Sequence, residues 1–183
     1  ANTPPSYATV GIGMGIGEHN SLIDSNTIQD CDYGIVLQED NSSIIHNNTM
    51  NNTGEGITIV KESSNETIYA NTILLSNNAL NINSTPNVRI YDNNFRNVTD
   101  NRITLVDSDN AQIYNNDFGM STEGEGETIF ILRSNNITWN TTYQSGTYIV
   151  GHSYLGGNFW VDNVTFDTTG DYIGNTPYTL NSE

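Results

Sequence analysis

A single unit copied along the chain limits what this sequence can fold into. Val88-Arg89-Ile90-Tyr91-Asp92-Asn93-Asn94-Phe95 returns as Ala111-Gln112-Ile113-Tyr114-Asn115-Asn116-Asp117-Phe118, and stands earlier as Glu66-Thr67-Ile68-Tyr69-Ala70-Asn71-Thr72-Ile73. Anchored on the central Ile, the unit recurs at Ile23, Ile45, Ile68, Ile90 and Ile113, with spacings of 22, 23, 22 and 23 and a looser sixth anchor at Thr138, 25 residues on. Five residues after each anchor comes a second apolar position (Ile28, Met50, Ile73, Phe95, Phe118, Tyr143), and three after it an Asn (Asn26, Asn48, Asn71, Asn93, Asn116), with Thr141 in the last unit. Later in each unit lies a triplet whose outer members are apolar: Ile35-Val36-Leu37, Ile57-Thr58-Ile59, Leu80-Asn81-Ile82, Ile103-Thr104-Leu105, Ile129-Phe130-Ile131 and Tyr148-Ile149-Val150. Alternation over three residues is the mark of a short half-buried strand.

Short strands joined by Asn, Asp, Ser and Gly corners cannot bury an apolar face within one unit. They can do so by stacking on copies of themselves. The expected fold is all-β: a single-domain right-handed parallel β-helix, or β-solenoid, of about six coils of 22–25 residues, with a non-repeat C-terminal segment. Its expected parts are a lead-in with a Gly-alternating strand over residues 1–20, the solenoid over 21–153, and a cap or side-packed segment over 154–183. Equivalent residues then form ladders about 4.8 Å per rung along the axis. The Ile anchors face inward, and the Asn series forms an amide ladder at a corner. The residue after each anchor (Asp24, His46, Tyr69, Tyr91, Tyr114, Trp139) faces outward. A leucine-rich repeat is excluded by sparse Leu, and helix-pair repeats by the lack of 3.6-residue periodicity.

Hydrophobic residues make up only 35% of the 183, which a thin columnar core tolerates. A net charge of −16 repels nucleic-acid phosphate and anionic lipid, so no nucleic-acid partner is expected. No apolar run is long enough to span a membrane. A chain that begins at Ala1 without a signal-peptide pattern fits the mature form of an exported protein. Nine Asn-X-Ser/Thr sequons, at Asn41, Asn47, Asn51, Asn65, Asn83, Asn97, Asn136, Asn140 and Asn163, would then be glycan acceptors.

Near the N-terminus, Gly11, Gly13, Gly15 and Gly17 alternate with Val10, Ile12, Met14 and Ile16. A strand bare on one face is either an irregular first coil or a contact with a neighbouring subunit. Cys31, the lone cysteine, is either a small buried corner residue or one half of an intermolecular disulfide. The acidic loop over 121–127 reads first as a solvated turn, with Glu123, Glu125 and Glu127 as weak calcium candidates.

The segment Gly157-Asn158-Phe159-Trp160-Val161-Asp162, followed by Gly170-Asp171-Tyr172-Ile173-Gly174-Asn175-Thr176-Pro177-Tyr178, resembles the C-terminal string of the NosD-like parallel β-helix repeat proteins, a group common among archaeal secreted and surface proteins. With the Asn-rich repeats, the resemblance covers roughly residues 21–180. Where that group carries an Asp-Gly-Asp-Gly run, this chain has Asp171-Tyr172, so Asp167 and Asp171 remain weak calcium candidates. The resemblance implies an exported, extracellular or cell-surface protein. The group's name suggests copper, but no Cys/His/Met constellation is present.

Other β-helices are polysaccharide lyases and glycosidases, which need converging carboxylates. Here Asp92 has Ala70 and Asn115 as ladder neighbours, and His19, His46 and His152 lie far apart. A non-catalytic structural role is therefore expected: a self-assembling subunit of an archaeal cell-surface layer, sheath or filament, whose partners are copies of itself. The alternative is a carbohydrate-binding module using Tyr69, Tyr91, Tyr114 and Trp139 as a flat aromatic strip that takes glycans. Those four residues would be the assembly or binding face.

Overall fold

In the computed structural model, which describes residues 8–119, 129–142, 144–151 and 153–160, each repeat is one coil of a parallel β-solenoid, and no helix occurs among the described residues. The strands are β1 (Val10–Met14), β2 (Leu22–Asp24), β3 (Thr27–Gln38), β4 (Ile44–His46), β5 (Thr49–Val60), β6 (Thr67–Tyr69), β7 (Thr72–Leu74), β8 (Asn78–Asn83) and β9 (Arg89–Tyr91). They continue with β10 (Asn94–Arg96), β11 (Ile103–Val106), β12 (Gln112–Tyr114), β13 (Asp117–Phe118), β14 (Ile129–Leu132), β15 (Gln144–Ser145), β16 (Tyr154–Leu155) and β17 (Phe159–Trp160).

The strands stack into three faces. The first is the parallel sheet β2-β4-β6-β9-β12. The second joins the opening halves of β3 and β5 to β7, β10, β13 and β17, and the third joins β1 and the closing halves of β3 and β5 to β8, β11 and β14. Register follows the repeat: Ile45 pairs with Ile68, Ile68 with Ile90, and Ile90 with Ile113. Four inward ladders result. They are Ile23 to Ile113 on the first face, Ile28-Met50-Ile73-Phe95-Phe118 on the second, and Ile35-Ile57-Leu80-Ile103 beside Leu37-Ile59-Ile82-Leu105 on the third. Most of these side chains are fully buried. Each contributes roughly 1.5–3 kcal/mol relative to exposure, which is how 35% hydrophobic content sustains the fold.

The corners explain the Asn content. Residues in the left-handed region recur in ladders: Asn20, Ser42, Asn65, Asn87, Asn110 and Asn136 before the first face, Ser25, Asn47, Ala70, Asp92 and Asn115 after it, and Asp30, Asn52, Leu75 and Asn97 after the second. Asn and Asp tolerate this backbone because their side chains bond locally. Asn47, Asn65, Asn97 and Asn136 are thus sequon residues that the corners demand on conformational grounds. Ala70, at φ 54°, breaks the polar pattern. Ala70→Gly is expected to raise stability by about 1 kcal/mol, read as a higher denaturation midpoint in urea.

The first coil takes one of its two expected forms, and the last departs from expectation. β1 pairs in parallel with β3, Ile12 against Ile35 and Met14 against Leu37, so the Gly-alternating stretch is the half-coil that starts the third face. Among its glycines, Gly11 makes the close approach within the chain: a Cβ there would lie 2.7 Å from the Gly34 carbonyl oxygen. Gly15 and Gly17 face open space, and a Cβ at Gly13 would only touch Val10 Cγ1 at 3.7 Å. In the sixth coil, Thr138 is not an inward anchor. It bridges Gln112, which puts Trp139 level with Ile113 and packs it against the core. The chain then leaves the column, turns through the antiparallel hairpin β15–β16 and returns at Gly157. Phe118 pairs with Trp160, so Trp160 takes the rung expected of Tyr143, a residue outside those described. Asn158 takes the rung expected of Thr141. Tyr148-Ile149-Val150 is not a strand, because it lies in the loop between β15 and β16. The repeat therefore reaches into the segment expected to have left it, and the count is five full coils and part of a sixth.

Candidate functional site

The most regular surface feature is the outward ladder of the first face. The His46, Tyr69, Tyr91 and Tyr114 rings stack at centroid separations of 4.8, 5.0 and 5.1 Å, within 8° of parallel. The ladder arises because β4, β6, β9 and β12 share one register. At its foot, His46 lies 3.4 Å from the Asp24 carboxylate, which also accepts from Ser25 and Asn47. Hydrogen bonds from Ser25 hold Asp24 below its usual carboxylate range. Burial pushes the Tyr91 and Tyr114 phenols up, and the Asp92 carboxyl beside them rises for the same reason.

Sequence places Trp139 in this stack, and the structure does not. With Thr138 level with Gln112, Trp139 turns inward and lies 6.1 Å from Trp160 at a tilt of 49°. The geometry also bears on sugar binding. An aromatic platform works through an open ring face, whereas here each ring covers the face of the next. What the stripe presents is a row of ring edges about 5 Å apart.

A groove of about 380 Å³ lies where the second face bends into the third, lined by Asp32, Tyr33, Gly54, Glu55, Asn77 and Asn78. Sequence reasoning missed it. Tyr33, Glu55 and Asn78 are successive rungs of one ladder, visible only once β3, β5 and β8 are in register. Asp32 accepts from the Thr9 amide at 2.7 Å and its hydroxyl at 2.9 Å, and those donors hold it below its usual range. Glu55 accepts from the Thr58 hydroxyl and, at 3.1 Å, from Asn81. Both carboxylates are thus committed to hydrogen bonds within the chain, and Asp32 is held charged rather than poised to deliver a proton.

Cys31 is half-buried against the core, level with Thr53, and its thiol donates to the Tyr33 carbonyl at 3.2 Å. Burial pushes the thiol up, away from the reactive thiolate. Of the sequon residues, Asn47, Asn65, Asn136 and Asn140 are exposed, whereas Asn41, Asn51, Asn83 and Asn97 are half-buried. Asn163 and the calcium candidates Glu123, Glu125, Glu127, Asp167 and Asp171 lie outside the described residues.

Copper would call for imidazole and sulfur ligands brought together. His19 meets Asn41, His46 meets Tyr69 and Asp24, Met50 is sealed in the core, and Cys31 points to a backbone carbonyl. No three His, Cys, Asp or Glu side chains converge among the described residues, so these residues do not fit a copper site.

The family described as periplasmic copper-binding protein (NosD) matches residues 8–165, most of the chain. No curated protein and no solved structure matches it.

Proposed function

The chain belongs to the NosD family of periplasmic β-helix proteins, and from that premise we propose that it is a non-catalytic structural subunit that joins copies of itself by continuing the third face from one copy into the next. It works in the periplasm or outside the cell, and no helix among the described residues is long and apolar enough to cross a membrane. The family description names copper, but the residues do not fit it, so no role is drawn through that metal.

The observation that carries the proposal is the state of the two ends of one sheet. Among the described residues, β1 pairs with β3 alone and β14 with β11 alone. Each therefore has an edge that meets no described strand, and free edges pair readily with other strands. The inward ladder Ile12-Ile35-Ile57-Leu80-Ile103-Ile129 runs from one edge to the other, so β14 of one copy beside β1 of the next would extend both the hydrogen-bonded sheet and its core. Apolar side chains are exposed at both ends: Val10 at 49% and Ile16 at 68%, Ile131 at 38% and Leu132 at 41%. The contact is heterologous, so repetition gives rings or open filaments.

Light scattering and negative-stain imaging of the purified chain test this. Oligomers that persist on dilution are expected, with a shift to monomer in Val10→Lys and Ile131→Lys. Reductant should leave them intact, because the Cys31 thiol is turned inward. A clean monomer under all conditions sinks the proposal.

A second reading, glycan binding, is favoured by the groove rather than the stripe. Tyr33, Glu55 and Asn78 on successive rungs, with Asp32 and Asn77 beside them, offer one ring and several polar groups to a sugar. A glycan screen should then show binding that Tyr33→Ala lowers at least tenfold and Tyr91→Ala leaves unchanged.

A further inference from the structure

Two carboxylates are sealed inside the column, in the corner that leads from the third face back to the first. Asp40 and Glu66 are both fully buried. Ser43 links them: its hydroxyl donates to Asp40 Oδ1 and its backbone N–H to Glu66 Oε2, each at 2.6 Å. The Asp40 N–H is satisfied by the Ser63 hydroxyl at 3.2 Å. These bonds use one oxygen of each carboxylate. Asp40 Oδ2 and Glu66 Oε1 remain buried without a partner.

Among the described residues the surroundings supply no counter-charge. On the rungs level with Glu66 stand Ser43 in the coil before and Val88 in the coil after. Across the column the neighbouring ladders are Ile45, Ile68 and Ile90 on the first face and Leu37, Ile59 and Ile82 on the third. The charged groups flanking the corner in sequence are Glu39, Lys61 and Glu62. Lys61 and Glu62 are exposed and Glu39 is half-buried. Lys61 donates to Gln38 at 3.0 Å, and His19 meets Asn41 at 3.3 Å, so neither side chain is turned to the pair. Two ionised carboxylates here would face an apolar interior with nothing to offset them. A proton on Glu66 removes one of the two charges and gives that side chain a donor of its own.

We propose that Glu66 is held protonated in this corner beside Asp40, and that loss of its proton to solvent loosens the corner joining coils two and three, making the solenoid less stable as pH rises toward neutrality.

The direction of titration agrees. Burial raises the Glu66 carboxyl from its ordinary value of 4.5 to about 7, with the Ser43 and Ser64 N–H groups opposing and the Asp40 charge adding to the rise. An acid whose pKa is higher folded than unfolded favours the folded state at low pH. That advantage is complete below the unfolded value, is lost between about 4.5 and 7, and is absent above. Carboxylates that are salt-bridged in the folded state, such as Asp107 with Arg133, give the opposite slope at more acid pH.

Thermal melts of the full chain between pH 5 and pH 8.5 test this, with Glu66→Gln and Glu66→Val beside the wild type. The valine copies the residue on the next rung, so one variant folds even if the amide does not. The folded-to-unfolded ratio of the wild type should fall on the order of 10²-fold across the window, and both variants should lose most of that slope. Infrared spectra of the wild type at pH 6 should show a protonated carboxylic acid band that disappears at pH 8.5 and is missing from both variants. A wild type whose stability is flat or rising from pH 5 to pH 8, or variants that keep its slope, would overturn the proposal. So would a melting point at pH 8 that EDTA lowers and Ca²⁺ restores in the wild type alone, because a cation would then occupy the place assigned to the proton.

Discussion

Asn93→Ala is expected to remove about 4 kcal/mol of stability, a large share of what a single domain commands. Asn93 is a middle rung of the amide ladder. Its Nδ2 donates to the Ile68 and Tyr91 carbonyls, each at 2.9 Å, and to Asn116 Oδ1 at 3.0 Å. Its Oδ1 accepts from the Asn71 backbone N–H and side-chain amide, both at 3.0 Å. The site is fully buried, so no water replaces the lost partners. Each buried polar group left alone costs about 1–3 kcal/mol; the Asn71 N–H would be stranded, and the Ile68 carbonyl, the Tyr91 carbonyl and Asn116 Oδ1 would each lose a donor. Urea denaturation should show the lower midpoint, and the corner-exposed Asn87→Ala, which loses amide bonds to Asn65 and Asn110 at the surface and puts alanine at φ 62°, should lower stability by only about 1–2 kcal/mol. If the two variants were equally mild, the buried amide ladder would not be what holds the coils in register.

Gly56→Val is expected to do at least as much damage by a different route. Gly56 sits where β5 bends from the second face into the third, between coils on both sides. A Cβ there would lie 2.6 Å from the Ala79 carbonyl oxygen and 2.8 Å from Ile73 Cγ2. The first of these is backbone fixed in the next coil's ladder, so relief means separating coils two and three. Overpacking alone costs about 1–3 kcal/mol, and a parted ladder adds to that. The expected loss is about 4 kcal/mol or more, seen as loss of the cooperative melt by circular dichroism. Gly13→Val is the control: its Cβ would meet nothing nearer than Val10 Cγ1 at 3.7 Å, and its stability should stay near that of the wild type. Equal behaviour of the two variants would mean that the strands are not spaced as described.

Position within the repeat told most of the fold. The Ile anchors and Asn rungs could be read from sequence because both obey one period, and in the structure they lie in line. The sixth coil could not be found by counting. Spacing presumes that the chain closes each coil directly, but after Trp139 it detours through β15–β16 before resuming at Asn158. The usable signal was a local pattern: Asn93-Asn94-Phe95 and Asn116-Asp117-Phe118 are followed by Asn158-Phe159-Trp160, each an Asn two residues before an aromatic rung. The outward stripe was legible as a ladder through Tyr69, Tyr91 and Tyr114. How its rings are turned was not, because that depends on rotamers set by neighbouring coils. The groove at Tyr33 was hidden because its members are 22 and 23 residues apart and chemically unlike one another. Glu66 gives no sign of burial on its own. Only its place level with Val88 reveals it.

The amide ladder also gives the column a sense of travel. Asn26 donates to Asn48, Asn48 to Asn71, Asn71 to Asn93, Asn93 to Asn116 and Asn116 to Asn158, and none of these donations runs backward. The exposed corner amides run the other way, Asn87 to Asn65, Asn110 to Asn87 and Asn136 to Asn110, so the two ladders differ in sense as well as in burial. The strands point round the coil in one rotational sense as well. A column of this kind is a vector. Two copies meeting at like ends would confront donor with donor and mismatch the winding of their coils, so any fibre grown from it has distinguishable tips and can be extended differently at each.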